Sequence, residues 1–107
     1  MNPERLCEIL GKYAASQGIE LNKDKGYVLE ILEGLLANES RYGYRSCPCR
    51  LAAGKKEKDA DIICPCAYRD PDIKEYGSCY CRLYVSGEWN EEKIPQVRPP
   101  ERRPVRE

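Results

Sequence analysis

The sequence contains no histidine and carries no net charge at pH 7, with 18 basic and 18 acidic side chains. No imidazole is therefore available as a metal ligand or a proton carrier, whereas the chain has seven cysteines. The balance of charges gives no overall field that would attract nucleic acid or an anionic membrane. We therefore expect neither nucleic acid nor a membrane as a partner.

Long apolar runs are also missing. The stretch YVLEILEGLLA is interrupted by Glu30 and Glu33 and is shorter than the roughly 20 residues that a bilayer-spanning helix requires. The amino terminus, MNPERLCEILGKYAASQ, has charges and helical periodicity where a secretory signal has an unbroken apolar segment. We expect a cytoplasmic protein, and in that reducing compartment clustered cysteines favour metal or redox chemistry over structural disulfides.

Two amphipathic helices are predicted in the amino-terminal part of the chain. Asn2 can cap the first helix, Pro3 suits its first turn, and Gly18 would end it. The second helix is predicted to start near Asn22 and to end where the letters ANES (37–40) interrupt the apolar period. The apolar positions expected to form the base of the core are Leu6, Ile9, Leu10, Tyr13, Val28, Ile31, Leu32, Leu35 and Leu36.

Beyond these helices the composition changes. The letters RYGYRSCPCR predict a functional loop, and KKEKDADII predicts a short helix. A further helix is predicted from an Asp70 cap to Tyr76, with Gly77 as its stop. The predicted fold is therefore mainly α, a small multihelical single domain with cysteine-bearing loops over residues 1–95. Residues 96–107, rich in proline and arginine, are expected to form an extended or disordered tail with solvated arginines.

Six of the seven cysteines form three Cys-x-Cys pairs. The pairs are Cys47-Pro48-Cys49, Cys64-Pro65-Cys66 and Cys79-Tyr80-Cys81. Disulfides within a pair would close small strained rings, and a reducing compartment opposes the others. A structural zinc ion takes four thiolates, usually at a wider spacing, and leaves two thiols unexplained. An iron–sulfur cube suits closely spaced cysteines better, because its irons are separate attachment points. A cube with four cysteine ligands would leave two of the six cysteines unused, and the number of cysteines does not show which two.

The three pairs, preceded by RYGYR and followed by RLYV, resemble the catalytic (beta) chain of ferredoxin-thioredoxin reductase over about residues 5–90. Among its members we expect this chain to be of the archaeal or bacterial type. The ligands of the [4Fe-4S] cluster that the resemblance implies are Cys47, Cys64, Cys66 and Cys79. The resemblance also implies an active-site disulfide between Cys49 and Cys81. The implied partners are ferredoxin or a similar low-potential donor, a thioredoxin-type target, and the variable chain that plant members need.

The third pair departs from the plant members, which have a histidine where this chain has Tyr80. That histidine is thought to help move protons at the disulfide, so Tyr80 is a candidate catalytic residue. An ordinary tyrosine pKa near 10 does not suit proton exchange at neutral pH. Tyr80 can instead donate a hydrogen bond to a sulfur or pack beside the cluster, and both roles stay open.

The predicted function is an oxidoreductase that reduces a protein disulfide with electrons received one at a time. Cys49 is the expected nucleophile and Cys81 its partner, and the flanking Arg45 and Arg50 are expected to favour a Cys49 thiolate. A flavoprotein reductase is excluded, because the chain has no Gly-x-Gly-x-x-Gly fingerprint and no room for flavin and nicotinamide domains. The alternative is a non-catalytic module, either zinc-binding or an iron–sulfur electron carrier with idle thiols.

Overall fold

Two long helices, α1 (Pro3–Ser16) and α2 (Lys25–Tyr42), pack against each other in the computed structural model, which describes residues 1–103. The predicted cap of α1 is confirmed, because the Asn2 side chain accepts a hydrogen bond from the backbone N–H of Arg5 at 2.8 Å. Leu6 of α1 and Leu32 of α2 are fully buried in the core. Most of the predicted apolar face is buried or half-buried, whereas Ile9 is 39% exposed.

Helix α2 differs from its prediction at both ends. Asp24 is the N-cap, so the helix begins at Lys25 rather than near Asn22. The helix also continues through residues 37–40 and ends at Gly43, which adopts a left-handed conformation with φ of 84°. The amide of Asn38 donates a hydrogen bond to the backbone carbonyl of Ser46 at 2.9 Å. A residue with weak helix propensity therefore stays helical because a tertiary contact holds it.

The remaining helices are short. They are α3 (Lys56–Asp59), a 3₁₀ turn (Ala60–Ile62), α4 (Arg69–Tyr76) and α5 (Gly87–Asn90). Helix α3 confirms the predicted helix before the second cysteine pair, and α4 begins ahead of the predicted Asp70 cap but ends, as predicted, at Gly77. The mainly α fold class is confirmed. In residues 1–103 no helix has both the length and the apolar character that a bilayer span needs.

A two-stranded antiparallel ribbon closes the fold and was not predicted. Strand β1 (Glu20–Leu21) follows α1, and strand β2 (Tyr84–Val85) follows the third cysteine pair. Leu21 lies opposite Tyr84 in the ribbon. The ribbon ties the third pair to the core that α1 and α2 form.

Helix α2 meets the first cysteine pair at Gly34. A Cβ atom at Gly34 would lie 2.7 Å from the Cβ atom of Pro48. We expect Gly34→Ala to lower the free energy of unfolding by about 2 kcal/mol, because the clash outweighs the higher helix propensity of alanine. Urea unfolding measures the effect. Gly26→Ala, in the first turn of α2, is the matched control, because the nearest atom to a Cβ there is a flexible Asp24 oxygen at 3.6 Å. Equal losses of unfolding free energy in the two variants would contradict the close approach of Gly34 to Pro48.

Residues 95–103 contain no helix or strand but pack on the domain. Pro99 is fully buried. Arg102 pairs with the buried Asp72, with 2.7 Å between Nε and Oδ1. Arg103 pairs with Asp61, with 3.0 Å between Nε and Oδ2. The tail is therefore tied to the domain by neighbouring ion pairs.

The expectation of solvated tail arginines is wrong for Arg102 and Arg103. The physical reason is that the domain presents buried and half-buried carboxylates beside the tail, and a buried carboxylate without a cation is costly. Arg106, another arginine of the predicted tail, lies outside the described residues. A domain boundary after residue 95 stays a prediction.

Candidate metal centre and dithiol site

Backbone pairing places the first Cys-x-Cys pair beside the second. The N–H of Cys47 donates to the carbonyl of Ile62 at 2.8 Å, and the N–H of Cys64 donates to the carbonyl of Arg45 at 2.8 Å. These bonds flank an isolated antiparallel bridge. Cys47 and Cys64, the first cysteines of their pairs, consequently lie on adjacent stretches of chain.

The third pair is held in a tight turn that leads into β2. The carbonyl of Cys79 accepts a hydrogen bond from the N–H of Arg82 at 2.9 Å, and Arg82 has a positive φ of 59°. The N–H of Tyr84 donates to the Cys79 sulfur at 3.4 Å. On the other side, the Tyr27 hydroxyl donates to the carbonyl of Cys81 at 2.5 Å. Helix α2 and strand β2 therefore fix the third pair between them.

An arginine closes a turn at each of the three pairs. Its backbone N–H donates to the carbonyl of the cysteine three residues earlier, in Cys47–Arg50, Cys66–Arg69 and Cys79–Arg82. The side chains of Arg50 and Arg69 are only 2% and 8% exposed. The repeated Cys-x-x-Arg spacing is a sequence signal that was not recognised, and it predicts cations held at the cysteine loops.

One cavity collects the four predicted cluster ligands. It is lined by the cysteines Cys47, Cys64, Cys66, Cys79 and Cys81. Its other lining residues are Arg50, Arg69, Tyr80 and Tyr84. The space between these atoms is ≈ 250 Å³, solvent at the mouth included. The sulfur of Cys49 lies within 4.8 Å of the sulfurs of Cys47 and Cys81. The structure thus brings all six paired cysteines together.

The spacing of several sulfurs suits a metal centre. In a tetrahedral zinc site with Zn–S distances of about 2.3 Å, the ligand sulfurs lie about 3.8 Å apart. The sulfurs of Cys47, Cys49 and Cys81 lie within 4.8 Å of one another, and the sulfur of Cys79 lies 3.8 Å from that of Cys81. The four predicted cluster ligands all line the cavity, and an iron–sulfur cube offers each of them a separate iron.

A family model described as "Ferredoxin thioredoxin reductase catalytic beta chain" matches residues 2–101. The chain belongs to this family. No individual curated protein matches it. The family consists of oxidoreductase catalytic chains and is known for an iron–sulfur cluster, which agrees with the cysteine group of the structure. The resemblance found in the sequence is confirmed, and the match extends into the tail as far as Glu101.

Tyr84 provides a further test of whether the cavity of this reductase-family chain suits an anionic group. Tyr84 is 1% exposed, and its hydroxyl makes no hydrogen bond to other residues of the described chain. Burial raises the pKa of Tyr84 far above its ordinary value, so the hydroxyl keeps its proton. An unpartnered buried donor is uncommon in proteins, and this one belongs to a residue of the cavity wall. The Tyr84 hydroxyl, as a hydrogen-bond donor, and the cysteines, as thiolate ligands, fit a negatively charged cluster.

The two cysteines of the implied disulfide differ in exposure and in electrostatics. Cys49 is partly exposed, whereas Cys81 is buried. Hydrogen bonds from the thiols of Cys47 and Cys81 lower the pKa of Cys49 to about 3, and the cation of Arg98 acts in the same direction. The hydrogen bonds that Cys81 makes to neighbouring sulfurs, together with burial, raise the pKa of Cys81 well above its ordinary value. The negative charge therefore resides on the more accessible sulfur.

The cation that assists the Cys49 thiolate is not one of the two expected ones. Arg45 pairs instead with Glu39, with 3.0 Å between Nε and Oε2. Arg50 pairs with Glu101. Arg98, which comes from the tail, has the favourable charge. No local pattern predicts this electrostatic effect, because Arg98 is far from Cys49 along the chain.

Two guanidinium groups lie over the ring of Tyr80. The guanidinium carbons of Arg50 and Arg98 lie 4.5 and 4.6 Å from the centroid of its ring. Tyr80 also lines the cysteine cavity. Its contacts are those of a residue that packs beside the site, and a catalytic role for Tyr80 stays a prediction.

Proposed function

We propose that this chain reduces protein disulfides by thiol–disulfide exchange, with Cys49 and Cys81 as its dithiol. The observation that carries the proposal is the arrangement of these two sulfurs. They lie within 4.8 Å of each other, one partly exposed and one buried, beside the cavity that further cysteines line. An electron carrier with idle thiols would not need this asymmetry.

Cys49 attacks first, because its sulfur is the accessible one. Its thiolate bonds to one sulfur of the target disulfide, and the other target sulfur leaves as a thiolate and takes up a proton. Cys81 then loses its proton and attacks the Cys49 sulfur of the mixed disulfide. The second target thiol is released, and a Cys49–Cys81 disulfide remains. Two electrons from an external donor and one proton from solvent restore the Cys49 thiolate and the Cys81 thiol.

We further propose that a [4Fe-4S] cluster is the resident cofactor. Its ligands would be Cys47, Cys64, Cys66 and Cys79. When bound, such a cluster supplies one-electron chemistry next to the dithiol. Arg50 and Arg69 support this assignment, because their buried cations would offset the negative charge of a thiolate-ligated group.

The proposed donor is ferredoxin or a similar low-potential carrier, and the proposed target is thioredoxin or a related protein. Plant-type ferredoxins lie near −400 mV and thioredoxin near −270 mV, so the transfer of two electrons is favourable by about 6 kcal/mol. We place the reaction in the cytoplasm, where thiols are kept reduced. The variable chain of the plant enzyme is proposed as an optional partner.

The direct test is an anaerobic assay with the chain reconstituted with iron and sulfide. Reduced ferredoxin and oxidised thioredoxin are added, and new thioredoxin thiols are counted with a thiol reagent. We expect about two new thiols per thioredoxin molecule, since one disulfide is opened. If neither thioredoxin nor a glutaredoxin-like protein gains thiols while the cluster is present, the proposed function is wrong.

A further inference from the structure

Arg50 is a buried cation beside the cysteine cavity that the proposed exchange does not use. Its side chain is 2% exposed. Its Nη1 atom donates a hydrogen bond to the Cys66 sulfur at 3.4 Å. The guanidinium carbon lies 4.5 Å from the ring centroid of Tyr80 and 5.1 Å from that of Tyr68. The cation thus lies over two aromatic rings and donates to the sulfur of a proposed cluster ligand.

Glu101 determines which nitrogen of Arg50 faces that sulfur. Arg50 donates from Nε to Oε2 of Glu101 at 2.8 Å and from Nη2 to Oε1 at 2.9 Å. A two-point contact of this kind fixes the plane of the guanidinium group. With Nε and Nη2 engaged by the carboxylate, Nη1 is left for the sulfur of Cys66.

Glu101 lies on the C-terminal strap, which we define as residues 98–103. Arg102 and Arg103 anchor the strap to the domain through Asp72 and Asp61, at 2.7 and 3.0 Å. Glu101 comes directly before these anchors, and its side chain is 37% exposed. A segment distant in sequence from every cysteine therefore places a carboxylate on the guanidinium group that donates to the Cys66 sulfur.

We propose that Arg50 is a positioning residue that raises the reduction potential of the iron–sulfur centre through the Cys66 sulfur, and that Glu101 on the strap moderates this effect. The inference rests on the proposed cluster. Hydrogen bonds to ligand sulfurs and nearby charge are among the factors that set the potential of such a centre. A cation at the sulfur stabilises the reduced, more negative state, and the carboxylate offsets part of that cation.

Two substitutions should shift the potential in opposite directions. Arg50→Gln removes the cation, so the ratio of reduced to oxidised centre at a fixed potential should fall about tenfold, equivalent to about 59 mV for one electron. Glu101→Gln keeps an oxygen that accepts from Arg50 but removes the negative charge, so the ratio should rise about threefold. A spectroscopic redox titration of the full chain measures both, and it does not depend on activity.

Glu75→Gln is the matched control for Glu101→Gln. Glu75 also pairs with an arginine of the strap, but that arginine, Arg102, donates to Asp72 and Glu75, whereas the partner of Glu101, Arg50, donates to the Cys66 sulfur. The same change of charge at Glu75 should leave the potential unchanged. An unchanged potential in Glu101→Gln, a shift in the same direction as Arg50→Gln, or an equal shift in Glu75→Gln would overturn the inference. Glu101 is partly exposed, so its variant keeps the test decisive if Arg50→Gln does not fold.

Iron content and thioredoxin reduction, measured on the wild-type chain, test the proposed function separately from this inference. If that chain holds iron and reduces thioredoxin, the proposed function stands. The reduction potentials of the variants then test only the roles of Arg50 and Glu101. A wild-type chain without a cluster would overturn both, and the failure would appear in its iron content before any variant is compared.

Discussion

Cys49→Ser should abolish disulfide reduction, with a loss on the order of a thousandfold or more, because a serine hydroxyl is not ionised at neutral pH and does not replace a thiolate nucleophile. The assay is the release of thioredoxin thiols by the reconstituted chain. Cys49 is the partly exposed member of the dithiol, so its removal also removes the point at which a target is attached. Iron content should be unchanged, since Cys49 is not one of the proposed ligands.

Cys81→Ser should have a different consequence. The nucleophile Cys49 remains, but the buried sulfur that would resolve the mixed disulfide is lost. A covalent adduct with the target should therefore accumulate, visible on a non-reducing gel and located at Cys49 by mass spectrometry. Cys7→Ser on α1 is the control and should give full activity and no adduct. An adduct at any cysteine other than Cys49 would contradict the assigned order of attack.

Asp59→Asn should lower the free energy of unfolding by about 3 kcal/mol, because it disrupts a buried carboxylate that several donors surround. Asp59 has no exposed surface. It accepts hydrogen bonds from the Tyr44 hydroxyl at 2.5 Å and from the N–H groups of Ala53 and Gly54 at 3.0 and 3.1 Å. An asparagine at this position would turn an amide donor toward other donors. Chemical denaturation of the two proteins measures the difference.

The effect of Asp59→Asn should depend on pH. Burial by itself would raise the pKa of Asp59, but the hydrogen bonds from Tyr44 and the two backbone N–H groups lower it below its ordinary value. The stabilisation is therefore complete above the ordinary carboxylate pKa near 4 and is lost as the pH falls through the lower folded value. Asp70→Asn is the control, since Asp70 is 80% exposed in its pair with Arg69 and should contribute little. Equal losses for the two variants would show that Asp59 is not a structural anchor.

Local signals in the sequence identify the helices well. The Asn2 cap and the Gly77 stop of α4 appear in the structure as predicted, and the apolar period of α1 does so except at Ile9, because each rests on contacts a few residues apart. Strands β1 and β2 were missed, since two residues are too few to show an alternating pattern. The end of α2 was placed too early, because the amide of Asn38 is held by a contact with a distant loop.

In the candidate site, too, local features could be predicted from the sequence, whereas contacts between distant residues could not. The three Cys-x-Cys pairs point to a metal or redox centre, and the resemblance supplied a ligand set that local spacing alone does not give. Arg50 was expected to assist Cys49 and instead contacts Cys66 and Glu101. The pairing of Arg50 with Glu101 joins residues that are 51 positions apart, so no local pattern could predict it. Tyr27 and Tyr84 were missed for the same reason.

The central claim is that the cysteines gathered in one cavity hold an iron–sulfur cluster beside a dithiol. Its most direct test is the iron, acid-labile sulfide and zinc content of the full chain purified without oxygen, together with its visible absorption spectrum. A [4Fe-4S] centre predicts about four irons and four sulfides per chain and a broad visible absorption. One zinc ion per chain, with no iron and no visible absorption, would contradict it.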